Sequence, residues 1–369
     1  MRILSVVTLI SPLGEYGGPV RVAVNQAKAL AARGHDVTIA GSARGFEGDL
    51  PTMLEGVHAV LEPARTLLPR IGFAGVGSPG LWSWARRHVA DFDVVHVHVA
   101  RDLVTLPIAA IARRRGVPYV LQTHGMIDRS TNPLARPLDA ALTRRVLRDA
   151  RRVLHLTEVE RLSLIHVAGA GLALEELPNG VPVADVKLPS GPARVLYLAR
   201  LAPRKRPGVF VAAATVLSPE FPDVRFALVG PDEGEGEQVA AAVARARGAG
   251  VQVEWEGPLP PEQTAERMGR STIYVLPSVD EPYPMSVLEA MASGLPVVIT
   301  ETCGLASVVR EASAGVVVDH SEEALIGAVR QLLANAEAAR AMGRSGQRFV
   351  RNHLSMGVIA VRLEAAYSR

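Results

Sequence analysis

Residues 275–300 read VLPSVDEPYPMSVLEAMASGLPVVIT, and their succession of strand, loop, helix and strand decides the fold class. An apolar strand ends at Leu276 and a loop carrying Glu281 follows. A helix starts near Ser286, holds Glu289 in its first turn and stops at Gly294, after which LPVVIT returns to strand. Strands joined through a helix belong to a parallel sheet, because an antiparallel pair needs only a short turn. Ser286 and Glu289 also have the spacing of a capping box, in which a carboxylate satisfies only backbone N–H groups. That reading accounts for Glu289 but leaves Glu281 and its loop unexplained. Amides at the same helix start would equally suit a phosphate or sugar hydroxyls.

The alternation continues in both directions. RILSVV, DVTIA, DVVHVH, VPYVLQTH and RVLHLT read as strands of a first unit, with helices at VRVAVNQAKALAARG and near residues 101–115 and 138–150. Thr157 and Glu160 form another capping box, opening a helix after the fifth strand. The pattern then restarts with ARVLYLAR, VRFALVG, VQVEWEG, STIYVLP, LPVVIT and AGVVVD as strands, separated by alanine-rich helices. Two consecutive doubly wound α/β units are expected, with parallel sheets covered by helices. Prolines, glycines and the Asn179-Gly180 turn in LPNGVPVADVKLPSGPA mark the boundary, giving domains at 1–185 and 186–350 and a terminal helix at 351–369 that packs on either unit.

Composition agrees with this and excludes several classes. A chain of 369 residues, 48% hydrophobic and 21% charged, has the material for two cores and is not disordered. Aromatics at 4% and a net charge of +3 are too little for nucleic-acid binding. Cys303 is the single cysteine, so no internal disulfide forms and a reducing cytoplasm is the expected compartment. No apolar run approaches the ~18 residues that span a bilayer.

Three places invite chemistry. Gly14, Gly17 and Gly18 lie between the first strand and its helix and would let backbone approach a phosphate, although no G-x-G-x-x-G is present and a nicotinamide enzyme is not implied. His124, in THG, stands just beyond a strand's carboxyl end, where open α/β sheets bind ligands. Arg200 and Lys205, in LARLAPRKRP, form a pair able to neutralise a diphosphate, and Lys205 is one of only three lysines. His96 and His98 share a strand face as a metal pair would, but lack further ligands and read as edge or packing residues. Residues 1–190 carry 22 basic against 17 acidic side chains, and Arg144, Arg145, Arg148, Arg151 and Arg152 read either as a solvated helix face or as a contact for an anionic lipid surface.

The E-x(7)-E spacing of Glu281 and Glu289 inside EPYPMSVLEAMASGLPVV, with LARLAPRK, THG, LPNGVP and the early GEYGGP in the same order, resembles the family 4 glycosyltransferases of the GT-B fold. The likeness spans the whole chain. It implies two Rossmann-like domains facing a central cleft, with the C-terminal helix crossing back to the first. It further implies a retaining, metal-independent transferase that moves a hexose or similar sugar from a nucleotide diphosphate to a hydroxyl acceptor by front-face transfer, with no cofactor. On that resemblance Glu289 would bind the ribose, Glu281 and His124 the donor sugar, and Arg200 and Lys205 the diphosphate. Gly17 and Gly18 would close on that diphosphate, and the amides of Met285 and Ser286 would complete the donor contacts. Many members have glycine where this chain has Pro284, which supplies no N–H. The expected acceptors are a lipid-linked glycan, a small metabolite or a natural-product aglycone, with a cytoplasmic location that includes peripheral contact with the inner face of an anionic membrane. The same residues also fit a sugar-nucleotide epimerase or hydrolase of the same fold, or a non-catalytic nucleotide-sugar-binding protein.

Overall fold

The computed structural model describes residues 1–12, 17–69, 71–130, 135–183, 189 and 191–368. The chain divides into two units, Met1–Gly180 with Met356–Arg369, and Val181–Ser355. The changeover falls at Gly180, five residues before the expected boundary at 185, and Asn179-Gly180 forms no regular turn there; residues 184–188 lie outside the described residues.

The first unit is built on strands β1 (Arg2–Ile10), β2 (Asp36–Ala43), β3 (Met53–Leu54), β4 (Val57–Pro63), a small antiparallel ribbon of β5 (Arg65–Thr66) and β6 (Val76–Gly77), then β7 (Val94–His98), β8 (Tyr119–Gln122), β9 (Arg152–His155) and β10 (Leu174–Glu176). Its main sheet runs β10-β9-β8-β7-β1-β2-β4-β3, parallel except at β3. β1, β2, β7, β8 and β9 are the strands expected from the sequence; β3, β4, β5, β6 and β10 are additional, three of them only two residues long and β4 and β10 half-exposed, so none shows the apolar run that marks a buried strand. β7 lies between β1 and β8, so His96 and His98 are interior residues; the edge reading of this pair is corrected, and the packing reading stands.

The second unit has strands β11 (Arg194–Leu198), β12 (Arg225–Val229), β13 (Val253–Trp255), β14 (Ile273–Leu276), β15 (Val297–Thr300) and β16 (Gly315–Val318), all parallel in the order β13-β12-β11-β14-β15-β16. β14 and β15 are buried along their whole length, as strands covered by helices on both faces must be.

Among the parallel strands of each sheet the order reverses once, between β1 and β7 in the first unit and between β11 and β14 in the second. The loops at the carboxyl ends of such strands diverge to opposite faces and open the crevice where α/β sheets take ligands. The final helix, Met356–Ser368, belongs to the first unit. It starts later than the expected 351 because the preceding helix runs on through a π-type turn to Leu354, whose carbonyl accepts the Val181 N–H at 3.0 Å. Ile359, Leu363 and Tyr367 bury themselves with Ile3, Val24 and Leu30 in one apolar cluster.

Candidate active site

The loops after β11 and β14 bring most of the expected donor residues together. Lys205 closes a short turn, Pro203–Lys205, and Arg206 then adopts a left-handed backbone (φ 52°) before the Pro207–Leu217 helix begins. The β14 loop reaches it directly, with the Val279 N–H donating to the Arg204 carbonyl at 3.0 Å. Arg206 Nη1 reinforces the junction by donating to the His320 carbonyl at 2.7 Å. Asp280 is also left-handed (φ 50°), and its N–H donates to Thr302 Oγ1 at 3.0 Å. Non-glycine residues avoid this region, so two of them beside one site are sustained by surrounding bonds.

Glu281 is fixed on both sides. Its carbonyl accepts the Gly304 N–H at 2.8 Å, and a Cβ on Gly304 would stand 1.8 Å from the Pro282 carbonyl oxygen, so only glycine admits this approach. Its carboxylate meets Lys205 Nζ at 2.5 Å, with Arg204 Nη2 at 3.6 Å from the same oxygen. Lys205 and Glu281 are both buried, whereas Arg204 is nearly half exposed. Burial pushes the Lys205 ammonium below its ordinary pKa, and the adjacent Glu281 carboxylate offsets part of that shift. The sequence treats these two as contacts to different parts of a ligand; in the fold they are also each other's counter-ion.

Arg200 is turned otherwise. It is exposed and pairs with Glu233 at 2.7 Å, a partner from the loop after β12 that the sequence reading did not find. Gly230 shapes this corner, because at φ 148° a Cβ would lie 2.0 Å from the Ala199 carbonyl oxygen. Two buried tyrosines brace the loops from below. The Tyr197 hydroxyl donates to the Arg200 carbonyl at 3.2 Å, and the Tyr274 hydroxyl lies 3.1 Å from the Leu198 carbonyl and 2.7 Å from Ser286 Oγ. Tyr274 is held well above its ordinary pKa by burial, so it stays a neutral hydrogen-bonding group.

The helix after Glu281 runs Met285–Ala292 with Pro284 as its N-cap. Ser286 is therefore inside the first turn and bonded to Tyr274, which overturns the capping-box reading of Ser286 and Glu289. Pro284 spends no N–H at the cap. The amides of Met285 and Ser286 have no acceptor among the described residues, leaving them for an anion or hydroxyl. Glu289 is half-buried on this helix, and its charge lies near enough to Tyr274 to raise that phenol further.

In the first unit Gly17 and Gly18 open the Gly17–Ala32 helix, while Gly14 lies outside the described residues. His124 sits two residues beyond β8 in a left-handed conformation (φ 50°), followed by Gly125 (φ 75°). The Met126 N–H closes this turn on the Thr123 carbonyl at 2.8 Å. His124 Nε2 is 2.8 Å from His98 Nδ1, His98 stacks on His96 at 4.5 Å, and His96 Nδ1 is 2.8 Å from the Tyr367 hydroxyl. Desolvation pushes all three imidazoles far below their ordinary pKa, His96 to about 3, so the row is neutral at physiological pH. Among the described residues, no three His, Cys, Asp or Glu side chains converge to hold a metal. The one Asp-x-Asp sequence, Asp91-Phe92-Asp93, stands at the amino end of β7, where Asp93 pairs with Arg2.

The arginine group at 144–152 is largely occupied internally. Arg144 and Arg148 donate to the Val167 and Ala168 carbonyls at 2.8 Å, Arg151 to the Tyr367 carbonyl, and Arg152 pairs with Glu175. Among the described residues, no helix is long and apolar enough to cross a membrane.

Comparison with known proteins agrees with this architecture. Residues 183–349 match the family described as Glycosyl transferases group 1, and residues 16–185 match Glycosyltransferase Family 4. The chain is 30% identical to D-inositol 3-phosphate glycosyltransferase 1 of Catenulispora acidiphila, covering 94% of this chain and 90% of that protein. It is 28% identical to D-inositol 3-phosphate glycosyltransferase of Acidothermus cellulolyticus, covering 100% and 91%. Among solved structures it resembles Anabaena HepE in complex with UDP-glucose, with a TM-score of 0.76 at 16% identity over 100% and 99% of the two chains. The chain is a glycosyltransferase and belongs to glycosyltransferase family 4, with the two Rossmann-like units of the GT-B fold.

Proposed function

We propose that this enzyme transfers a hexose-type sugar, with retention of anomeric configuration, from a nucleotide diphosphate to a hydroxyl acceptor. The observation that carries the reading is the buried Lys205–Glu281 pair at the β11–β14 switch point, beside the amides of Met285 and Ser286. A diphosphate entering there takes over the ammonium, and Glu281, relieved of its counter-ion, turns to a sugar hydroxyl. Arg200 adds a second cation, and charge developing on the leaving phosphate is stabilised by groups already in position. Glu289 takes the ribose hydroxyls, Gly17 and Gly18 remain donor contacts on the family resemblance alone, and His124, neutral, offers a hydrogen bond to the donor sugar without adding charge. No carboxylate among these residues is left over as a nucleophile, so the departing phosphate helps remove the acceptor proton on the same face.

The two relatives are named for D-inositol 3-phosphate, which makes a phosphorylated cyclitol the first acceptor class to try. The test of the donor site is thermal unfolding with UDP, GDP, ADP, TDP or CDP, for the parent and for Glu289→Ala. A ligand at 100 times its Kd stabilises by about 2.7 kcal/mol, a shift of several degrees. One selective nucleotide, lost in the variant, supports the site; no shift with any of the five rejects it. Donor consumption at equal rate without acceptor identifies a hydrolase, and an inverted product rejects retention.

A further inference from the structure

Glu160 is buried, yet it does more than close the capping box that its spacing from Thr157 implies. The first half of that box is formed, with the Glu160 N–H donating to Thr157 Oγ1 at 3.2 Å. The carboxylate, which in such a box returns to the N-cap amide, is used differently here. Oε2 accepts the Leu156 N–H at 2.6 Å, one residue before the cap. Oε1 reaches 35 residues back in sequence to accept the Gly125 N–H at 2.5 Å, together with the Thr123 hydroxyl. One carboxylate oxygen therefore holds the residues on both sides of His124.

That grip answers a local need. His124 and Gly125 are consecutive left-handed residues, a region that a histidine's Cβ disfavours, so the turn does not hold its shape by propensity. Three donors converging on one carboxylate make strong, charge-assisted bonds that fix the backbone, while His98 fixes the ring. We infer that Glu160 is the positioning residue for His124, setting the direction in which its imidazole meets the donor sugar; this rests on the donor-side reading of His124 above.

The experiment compares Glu160→Gln, His124→Ala and the double variant in transfer assays, with nucleotide affinity and the His124 ring signals in NMR measured alongside. Glutamine keeps one acceptor oxygen but turns an N–H towards the Leu156 amide. The expected result is a ten- to hundredfold fall in kcat for Glu160→Gln, nucleotide Kd unchanged within twofold, and displaced His124 signals. Once His124 is alanine, the second substitution costs less than a further twofold. Equal losses from Glu160→Gln with and without His124 reduce it to a stability element and overturn the inference. Unmoved His124 signals overturn it as geometry, whereas moved signals with full transfer activity show that the donor-side reading of His124 has failed instead. Should Glu160→Gln not fold, Thr123→Val removes one bond of the clamp with the shape kept, and the same pattern is expected at smaller size.

Discussion

Removing the Lys205 ammonium separates what the residue does for the fold from what it does for the reaction. In Lys205→Ala the Glu281 carboxylate stays buried without its partner at 2.5 Å, and breaking one side of such a pair costs about 3–5 kcal/mol. Arg204 remains 3.6 Å away but is 45% exposed, so it returns only about 0–1 kcal/mol and the expected loss is about 3 kcal/mol. Replacing both charges, as Lys205→Met with Glu281→Leu, removes the desolvated carboxylate too and brings stability back to within about 1 kcal/mol of the parent. On the role proposed for Lys205, transfer falls on the order of a hundredfold in both variants, because the ammonium that would stabilise the leaving phosphate is absent from each. Trp255 is the one tryptophan of the second unit, so urea unfolding followed by its fluorescence, in a Trp82→Phe, Trp84→Phe background, reports on the right unit. At about 2–3 kcal/mol per molar urea, the single variant's midpoint drops by about 1 M. A midpoint within about 0.2 M of the parent refutes the argument about the buried pair. Recovery of transfer in the double variant refutes the catalytic assignment of Lys205.

Two further outcomes follow from the same geometry. His96 titrates at about 3 in the folded protein against 6.5 in the unfolded chain, so the unfolded chain binds the proton first as pH falls; its contribution is complete above pH 6.5 and is lost progressively towards pH 3. Stability of the first unit, measured at pH 7.5 and pH 5.0, is expected to fall by about 2 kcal/mol less in His96→Leu than in the parent, and an identical pH dependence rejects the buried neutral imidazole. Gly304→Ala drives a methyl into the Pro282 carbonyl, with an expected cost of about 1–3 kcal/mol and at least tenfold weaker nucleotide-sugar binding by calorimetry. The control Gly327→Ala, exposed on the Glu322–Ala334 helix with nothing near its Cβ, gains up to about 1 kcal/mol, and equal behaviour of the two variants contradicts the close approach at Gly304.

Local chemistry was legible in the sequence where a residue's neighbours along the chain determine its environment. All six strands of the second sheet stand out as apolar runs, and helices such as Pro207–Leu217 carry their start signals with them. The placement of Glu281, Lys205 and Arg200 is readable because each follows a strand into a loop. Their mutual arrangement is not, since Lys205 meets Glu281 across 76 residues and Arg200 meets Glu233 across 33, separations closed only by the strand order. Ser286 misled for the opposite reason: its spacing from Glu289 satisfies a local rule, but Tyr274, from the adjacent strand, claims the hydroxyl and Pro284 takes the cap. Glu160 shows the same limit, as its cap to Thr157 is local and its hold on Gly125 is not.

The return of Met356–Ser368 to the first unit sets an order of events during synthesis. The sheet of that unit is translated within its first 180 residues, but the apolar side beneath the last helix stays uncovered while the whole second unit is made. Val181–Ser355 is contiguous and can close as soon as it leaves the ribosome, so the part made second is the first able to finish. Throughout that interval Ile3, Val24 and Leu30 present a sticky surface that invites chaperones or misassembly. A ribosome stalling before residue 356 would leave behind a first half with its core open, and a premature stop there would harm the unit farthest from it in sequence.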